Sequence, residues 1–145
     1  MSKVQPIKRH PAIQPLSRDH HQGLLLAFKL KKGLKNKIAP QRLKQYLNWF
    51  FDRHLSPHFK SEEKYLFPIL EEEDEDVIEA LKHHRRLAAI RDQEEALPEE
   101  IDAFQNLLNT HIRFEERKLF NRIEKIANEK QLDQLKVHLR EGDSC

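Results

Sequence analysis

The chain has 145 residues, of which 34% are charged, with three glycines and one cysteine. That length suits one domain with a real core, and a charge-rich, glycine-poor composition suits helices with a solvated outer surface. A formal net charge of +2 gives no reason to expect nucleic acid, no apolar run reaches the length of a membrane span, and one cysteine excludes an intrachain disulfide.

Residues 1–15 are polar and broken by prolines, so an irregular arm is expected there, with His10 in solvent. The basic start has no apolar stretch behind it, so it does not read as a secretory signal and a cytoplasmic protein is expected. Residues 16–145 form the expected domain. A first helix is expected from Ser17 as N-cap, with Asp19 in the first turn where a negative charge suits the dipole, to a stop near Gly33–Asn36.

Pro40 fits the first turn of a second helix ending at Phe67-Pro68. Its inward stripe reads Leu43, Leu47, Phe50, His54, His58, Glu62 and Leu66. Pro57 lacks a backbone N–H, so a kink is expected one residue before His58. Tyr46, Trp49, Phe50 and Phe51 read as core aromatics. The acidic run Glu71–Asp76 reads as a solvated loop and the negative first turn of a third helix. That helix carries Val77, Leu81, His84, Leu87 and Ala88 on one face and fades near Glu95.

Pro98 opens a fourth helix, with the stripe Ile101, Phe104, Leu108, His111, Glu115, Leu119 and Ile123. Asn128 and Gln131 form a capping pair for a short fifth helix over 129–139. Strand signals are absent. The expected fold is therefore all-α, an antiparallel up-down-up-down four-helix bundle with a short C-terminal fifth helix. Cys145, at the last position, is expected to be an exposed terminal thiol.

The chemistry lies in a doubled string. His58-Phe-Lys-Ser-Glu62-Glu63 and His111-Ile-Arg-Phe-Glu115-Glu116 stand fifty-three residues apart. Each places an imidazole and a carboxylate four residues apart, on one helix face. Nine histidines are many for this length, and two adjacent pairs occur, His20-His21 and His83-His84. Neighbouring helical residues diverge by about 100°, so one of each pair faces inward. Projection on the apolar faces selects His20 and His84 as inward, and leaves His21 and His83 on the surface. Glu63 and Glu116, off the ligand face, read as solvated or salt-bridged. Tyr65 reads equally as a core tyrosine or as a hydrogen-bond donor behind a ligand.

Four imidazoles and two carboxylates buried together without a shared positive partner cost on the order of several kcal/mol per unpaired charge. A metal supplies that partner. Nitrogen and carboxylate ligands without thiolate suit iron, manganese or zinc, and six ligands with two carboxylates fit two metals better than one.

These residues resemble the hemerythrin-like (HHE cation-binding) family. The matching pieces are Leu16-Ser-Arg-Asp-His20, His58-Phe-Lys-Ser-Glu62, Leu81-Lys-His-His84 and His111-Ile-Arg-Phe-Glu115, in order from about 16 to 126. The resemblance implies a bundle around two non-haem iron ions, bridged by Glu62 and Glu115 and by an oxo, hydroxo or water ligand. One iron would take His20 and His58, the other His84 and His111. It also implies a small diatomic ligand, oxygen or nitric oxide, or the handling of iron or peroxide.

Two departures separate the chain from oxygen-carrying hemerythrins. Their second third-helix histidine is Ala88 here, and their aspartate five residues after the fourth-helix histidine is replaced by Glu115, four residues after it. His54 reads as lining a pocket rather than as a fifth histidine ligand. A di-iron oxidase or peroxidase, and a metal-free interaction module, are the alternative readings.

Overall fold

The computed structural model describes residues 9–143; residues 1–8 of the expected arm and Cys145 lie outside them. The described residues are helical, with no strand. The first helix, α1, is Gln14–Lys35. The second, α2, spans residues 40–69 in several segments described below. The third, α3, is Glu75–Asp92, the fourth, α4, spans residues 98–126, and the fifth, α5, is Glu129–Asp143. No helix among the described residues is long and apolar enough to cross a membrane.

α1 begins four residues earlier than its sequence suggests, with Ile13 rather than Ser17 at the N-cap. Pro15 sits in the first turn, where its missing N–H costs nothing and its fixed φ favours the helix. Ser17 is therefore inside the helix and caps nothing; its hydroxyl donates instead to Glu116 at 2.7 Å. Just before the helix, Ala12 and Ile13 are buried in the core. Arg9 is buried too, donating to Glu124 at 2.8 Å and to Asn121 at 2.9 Å. His10 is half-buried, with its backbone N–H on Glu124 and its Nδ1 accepting from the Ala12 N–H. Residues 9–13 are thus a packed strap, not a solvated arm.

The two long helices carrying the doubled string are not regular. α2 is α-helical over Pro40–Phe50 and Ser56–Ser61 and widens into π-turns at Phe51–Leu55 and Glu62–Leu66, before a 3₁₀ turn at Phe67–Ile69. The first π-turn lies just ahead of Pro57, and the Ser56 N–H reaches back five residues to Phe51. The disturbance expected from the proline is met by this widened turn. α4 is α-helical over Pro98–Phe114 and Phe120–Ile126, with one π-turn at Glu115–Leu119. In both copies of the string the π-turn starts at the glutamate. It brings two successive residues, Leu66-Phe67 and Leu119-Phe120, to the buried side.

The π-turn at Phe51–Leu55 alters the expected stripe. Leu55 is buried, while His54 is exposed and packs its ring 4.8 Å from Phe50. Phe50 and Phe51 are buried as expected, and Tyr46 packs partly buried against the core. Trp49 is 51% exposed, so it is not a core aromatic.

The other helix ends follow local chemistry. Asp74 caps α3 by accepting from the Asp76 and Val77 N–H groups. Asp74 and Asp76 also grip Arg122 of α4 at 2.6–2.8 Å, so this part of the acidic run is a docking point rather than a solvated loop. The buried Lys44 donates to the carbonyls of Arg91 and Gln93, closing the C-terminus of α3 at Asp92. Asn128 and Gln131 exchange side chain-to-backbone hydrogen bonds at 2.8 and 2.9 Å, the expected capping box of α5. α5 runs past residue 139 to Asp143.

Buried apolar residues form two clusters. One gathers Leu26, Leu30, Leu47, Phe51, Phe59, Leu87, Phe104 and Leu108; the other gathers Ile13, Leu16, Leu66, Ala80, Leu119, Phe120 and Leu135. On α1 and α3 the sequence passes from one cluster to the other across His20 and His84, and on α2 and α4 across Glu62 and Glu115.

α1 ends in a Schellman turn, with Ile38 N–H on Gly33 O at 2.9 Å and Lys37 N–H on Leu34 O at 3.1 Å. The residue placed in the left-handed region is Lys37, at φ 58°, where a Cβ is strained. Lys37→Gly should raise the unfolding free energy by about 0.5–1 kcal/mol, read as a higher urea midpoint at unchanged m-value.

Candidate metal centre

The belt between the two clusters holds six buried ionisable side chains: His20 from α1, His58 and Glu62 from α2, His84 from α3, and His111 and Glu115 from α4. They fall into two groups, His20, His58, Glu62 and Glu115, and then Glu62, His84, His111 and Glu115. Within each group one nitrogen or oxygen per residue lies within 4.8 Å of all the others. The glutamates are common to both.

All four imidazoles turn Nε2 inward. His20 Nε2 lies 2.8 Å from Glu115 Oε1 and His84 Nε2 lies 3.1 Å from Glu62 Oε1. The i,i+4 pairs are looser, at 3.5 Å for His58 with Glu62 and 3.3 Å for His111 with Glu115. Four atoms facing the centre are buried without a hydrogen-bond partner: His58 Nε2, His111 Nε2, Glu62 Oε2 and Glu115 Oε2. Buried polar atoms are nearly always satisfied. An orphaned nitrogen and an orphaned carboxylate oxygen in each half therefore fit a bound cation.

All four imidazoles turn Nδ1 outward, each onto a partner. His20 meets Glu116 at 2.6 Å, His58 meets Asp19 at 3.0 Å, His84 meets Glu63 at 2.7 Å and His111 meets Nδ1 of His83 at 2.9 Å. Such outer bonds hold the ring and, where Nε2 ligates a metal, keep the remaining proton on Nδ1. The rings are also clamped by aromatics: Phe120 stacks on His20, and Phe59 and Phe67 stack on His84.

From the sequence Asp19 reads as first-turn charge and His83 as a surface residue, whereas both reach an inward imidazole. Glu63 and Glu116, expected to be solvated or salt-bridged, are salt-bridged. His21 is exposed, as expected. The usable signal was position: Asp19 and His83 each precede an inward histidine, and Glu63 and Glu116 each follow an inward glutamate. Glu116 is further held by Ser17 and Arg9, which also donates to its backbone carbonyl. Tyr65 stacks on His138, away from the ligands.

A cavity of about 20 Å³, enough for one water-sized molecule, opens beside the first half. His20, His58 and His111 line it, with Gly23, Leu55, Phe59, Leu108 and Ile112 as apolar walls, and His54 and Asp19 also border it. Gly23 keeps this wall close: a Cβ on it would meet Ile112 Cδ1 at 2.8 Å, so that side chain would have to shift.

Without metal the belt is an acid–base network. Burial lowers the pKa of His84, but its hydrogen bonds to the carboxylates of Glu62 and Glu63 outweigh this and raise it to about 9. Burial pushes His111 down to about 4, against a smaller opposing pull from Glu115. Glu62 is driven well up by burial and by the charge of Glu115. Burial also opposes the charge of Glu115, yet the imidazoles of His111 and His20 hold its pKa well down.

The two histidines give opposite pH dependences from the same unfolded value of 6.5. Between about pH 4 and 6.5 the unfolded chain binds the extra proton at His111, so stability rises with pH. Between 6.5 and about 9 the folded chain binds it at His84, so stability falls. Glu62, whose carboxyl is raised well above its ordinary range, takes up a proton on folding where His111 loses one, so the acid limb is offset. The melting temperature of chelator-treated protein should therefore be lower at pH 9.5 than near pH 6.5. Restoring a divalent metal should move the optimum upward, because ligation displaces these protons.

Residues 12–123 match the hemerythrin HHE cation binding domain family, a span that contains all six inward residues and all four outer partners. No curated protein and no solved structure matches the chain significantly. By this match, over most of its length, the chain belongs to the hemerythrin HHE cation-binding domain family.

Proposed function

We propose that the chain is a non-haem di-iron protein that binds or senses a small diatomic ligand, oxygen or nitric oxide, or handles peroxide. In this reading α1 to α4 form an antiparallel up-down-up-down bundle. His20 and His58 hold one iron, His84 and His111 hold the other, and Glu62 and Glu115 bridge them. The observation that carries the reading is the sharing of both glutamates between two overlapping groups of ligating atoms. A lone tetrahedral zinc needs four ligands and would leave others of these buried groups unpaired.

Iron bound there would supply redox chemistry and an open coordination position. The chain's own residues do the rest. Asp19, Glu63, His83 and Glu116 hold the ring protons on the outer nitrogens. Gly23, Leu55, Phe59, Leu108 and Ile112 keep the adjoining cavity small and apolar, which suits a diatomic molecule and excludes a large substrate. Ala88, where an oxygen carrier would have a further histidine, packs partly buried against the apolar cluster and offers no ligand atom. Binding with sensing or iron handling therefore fits better than oxygen transport.

Metal analysis and absorption spectroscopy test this directly. Protein reconstituted anaerobically and then exposed to air should carry two irons per chain and show near-ultraviolet oxo-to-iron bands. Chelation should lower the melting temperature by several degrees, as expected when a bound metal stabilises the native state by about 3 kcal/mol or more. Glu115→Ala should bring the iron content below one per chain with helicity by circular dichroism retained. A single zinc per chain, or an unchanged melt after chelation, would overturn the assignment.

A further inference from the structure

The belt repeats under a pseudo-twofold relation. His20 answers to His84, His58 to His111, Glu62 to Glu115, and Glu116 to Glu63. The outer partner of His58 is Asp19, immediately before His20; the outer partner of His111 is His83, immediately before His84. The relation therefore pairs a carboxylate with an imidazole. This is the one outer contact at which the two halves differ in chemistry.

The His83–His111 contact fixes its own proton. Two Nδ1 atoms 2.9 Å apart hold one hydrogen between them. For His111 to offer its inward Nε2 lone pair, its own Nδ1 must carry that hydrogen. His83 then accepts through a lone pair and is a neutral ring. Its Nε2, at the far edge, points to Glu79 at 3.5 Å. His58 instead donates to a full carboxylate. A carboxylate behind an imidazole makes it a stronger metal ligand than a neutral acceptor does, and such outer partners change metal affinity by about 10–100-fold. Arg9 offsets part of the charge of Glu116, but it is shared with Glu124 and does not touch Asp19.

We infer that the two metal positions are unequal by construction: the one served by His20 and His58 fills first and holds its ion more tightly, and His83 makes the one served by His84 and His111 the weaker, exchangeable position. This rests on the two-metal reading above. His83 is a positioning residue, acting through His111. The consequence is functional, because a centre that loses one ion before the other has a stable half-loaded state.

Anaerobic calorimetric titration with ferrous iron reads the difference. The wild type should bind in two steps separated by about tenfold or more in Kd. His83→Asp should strengthen the second step and close most of the gap. Asp19→Asn should weaken the first step and close it from the other side. In zinc-loaded protein with ¹⁵N-labelled histidine, a nitrogen–nitrogen coupling between His83 and His111 should report the bond itself, whether or not the His83 variant folds. Two equal binding steps in the wild type, or an absent coupling with Asp19→Asn leaving the steps unchanged, would overturn the inference while leaving the two-metal reading intact. Failure to take up any iron would overturn both.

Discussion

The structure depends on one constraint. Six ionisable side chains lie in a belt between two apolar clusters, and four of their atoms are buried without a hydrogen-bond partner. An unsatisfied buried polar atom costs about 1–3 kcal/mol, against a typical net stability of about 5–15 kcal/mol for a whole domain. Four such atoms are too costly to be a neutral feature of packing. The belt makes sense as a site whose missing partner is a cation. The same arrangement explains why the apolar core is divided, since each of the first four helices must pass through the belt between one cluster and the other.

The π-turns belong to this constraint. A regular helix continuing past Glu62 or Glu115 would bring one residue of each turn to the core. The widened turn brings two, so the belt is sealed by Leu66 with Phe67 on one side and by Leu119 with Phe120 on the other. Phe67 and Phe120 then lie against His84 and His20. The five-residue reach of the backbone hydrogen bond thus places Phe67 of α2 over His84 of α3 and Phe120 of α4 over His20 of α1. Without it, the repeat would set the ligands but leave one face of the rings open.

The helices, their order and the inward direction of all six belt residues were legible in the sequence, because each is a property of one helix and its 3.6-residue period. What was not legible is tertiary. Asp19 reads only as a first-turn charge, and His83 projects off the apolar face of its helix, so neither reveals a partner on another helix. Their partners, His58 and His111, come from α2 and α4. Glu63 and Glu116 are salt-bridged, as expected, but that their partners include His84 and His20 is likewise tertiary. Trp49 and His54 differ: Trp49 reads as core only because it is aromatic, while the stripe Leu43, Leu47 and Phe50 of its own regular segment leaves it outside. The π-turn at Phe51–Leu55 turns His54 out of the inward stripe, although it borders the small cavity as expected. Pro15 misled because a proline that opens a helix and one that ends it look alike until the buried Ile13 in front of it is known.

The strap at residues 9–13 gives the first half of the belt a support for which the second half shows no counterpart among the described residues. Arg9 holds Glu116, and Glu116 holds His20, so two bonds connect the N-terminal segment to a ring that faces the centre. Arg9 is nearly inaccessible and makes four hydrogen bonds, to Glu116, Asn121 and Glu124, so it is fixed rather than resting on the surface. The small cavity opens beside this same half, where Gly23 lets α1 approach Ile112 of α4 closely. The best-anchored histidine therefore stands where a small ligand has room to approach. Rigidity and access coincide on one side of a near-symmetric site, and that coincidence gives the pseudo-twofold repeat a direction.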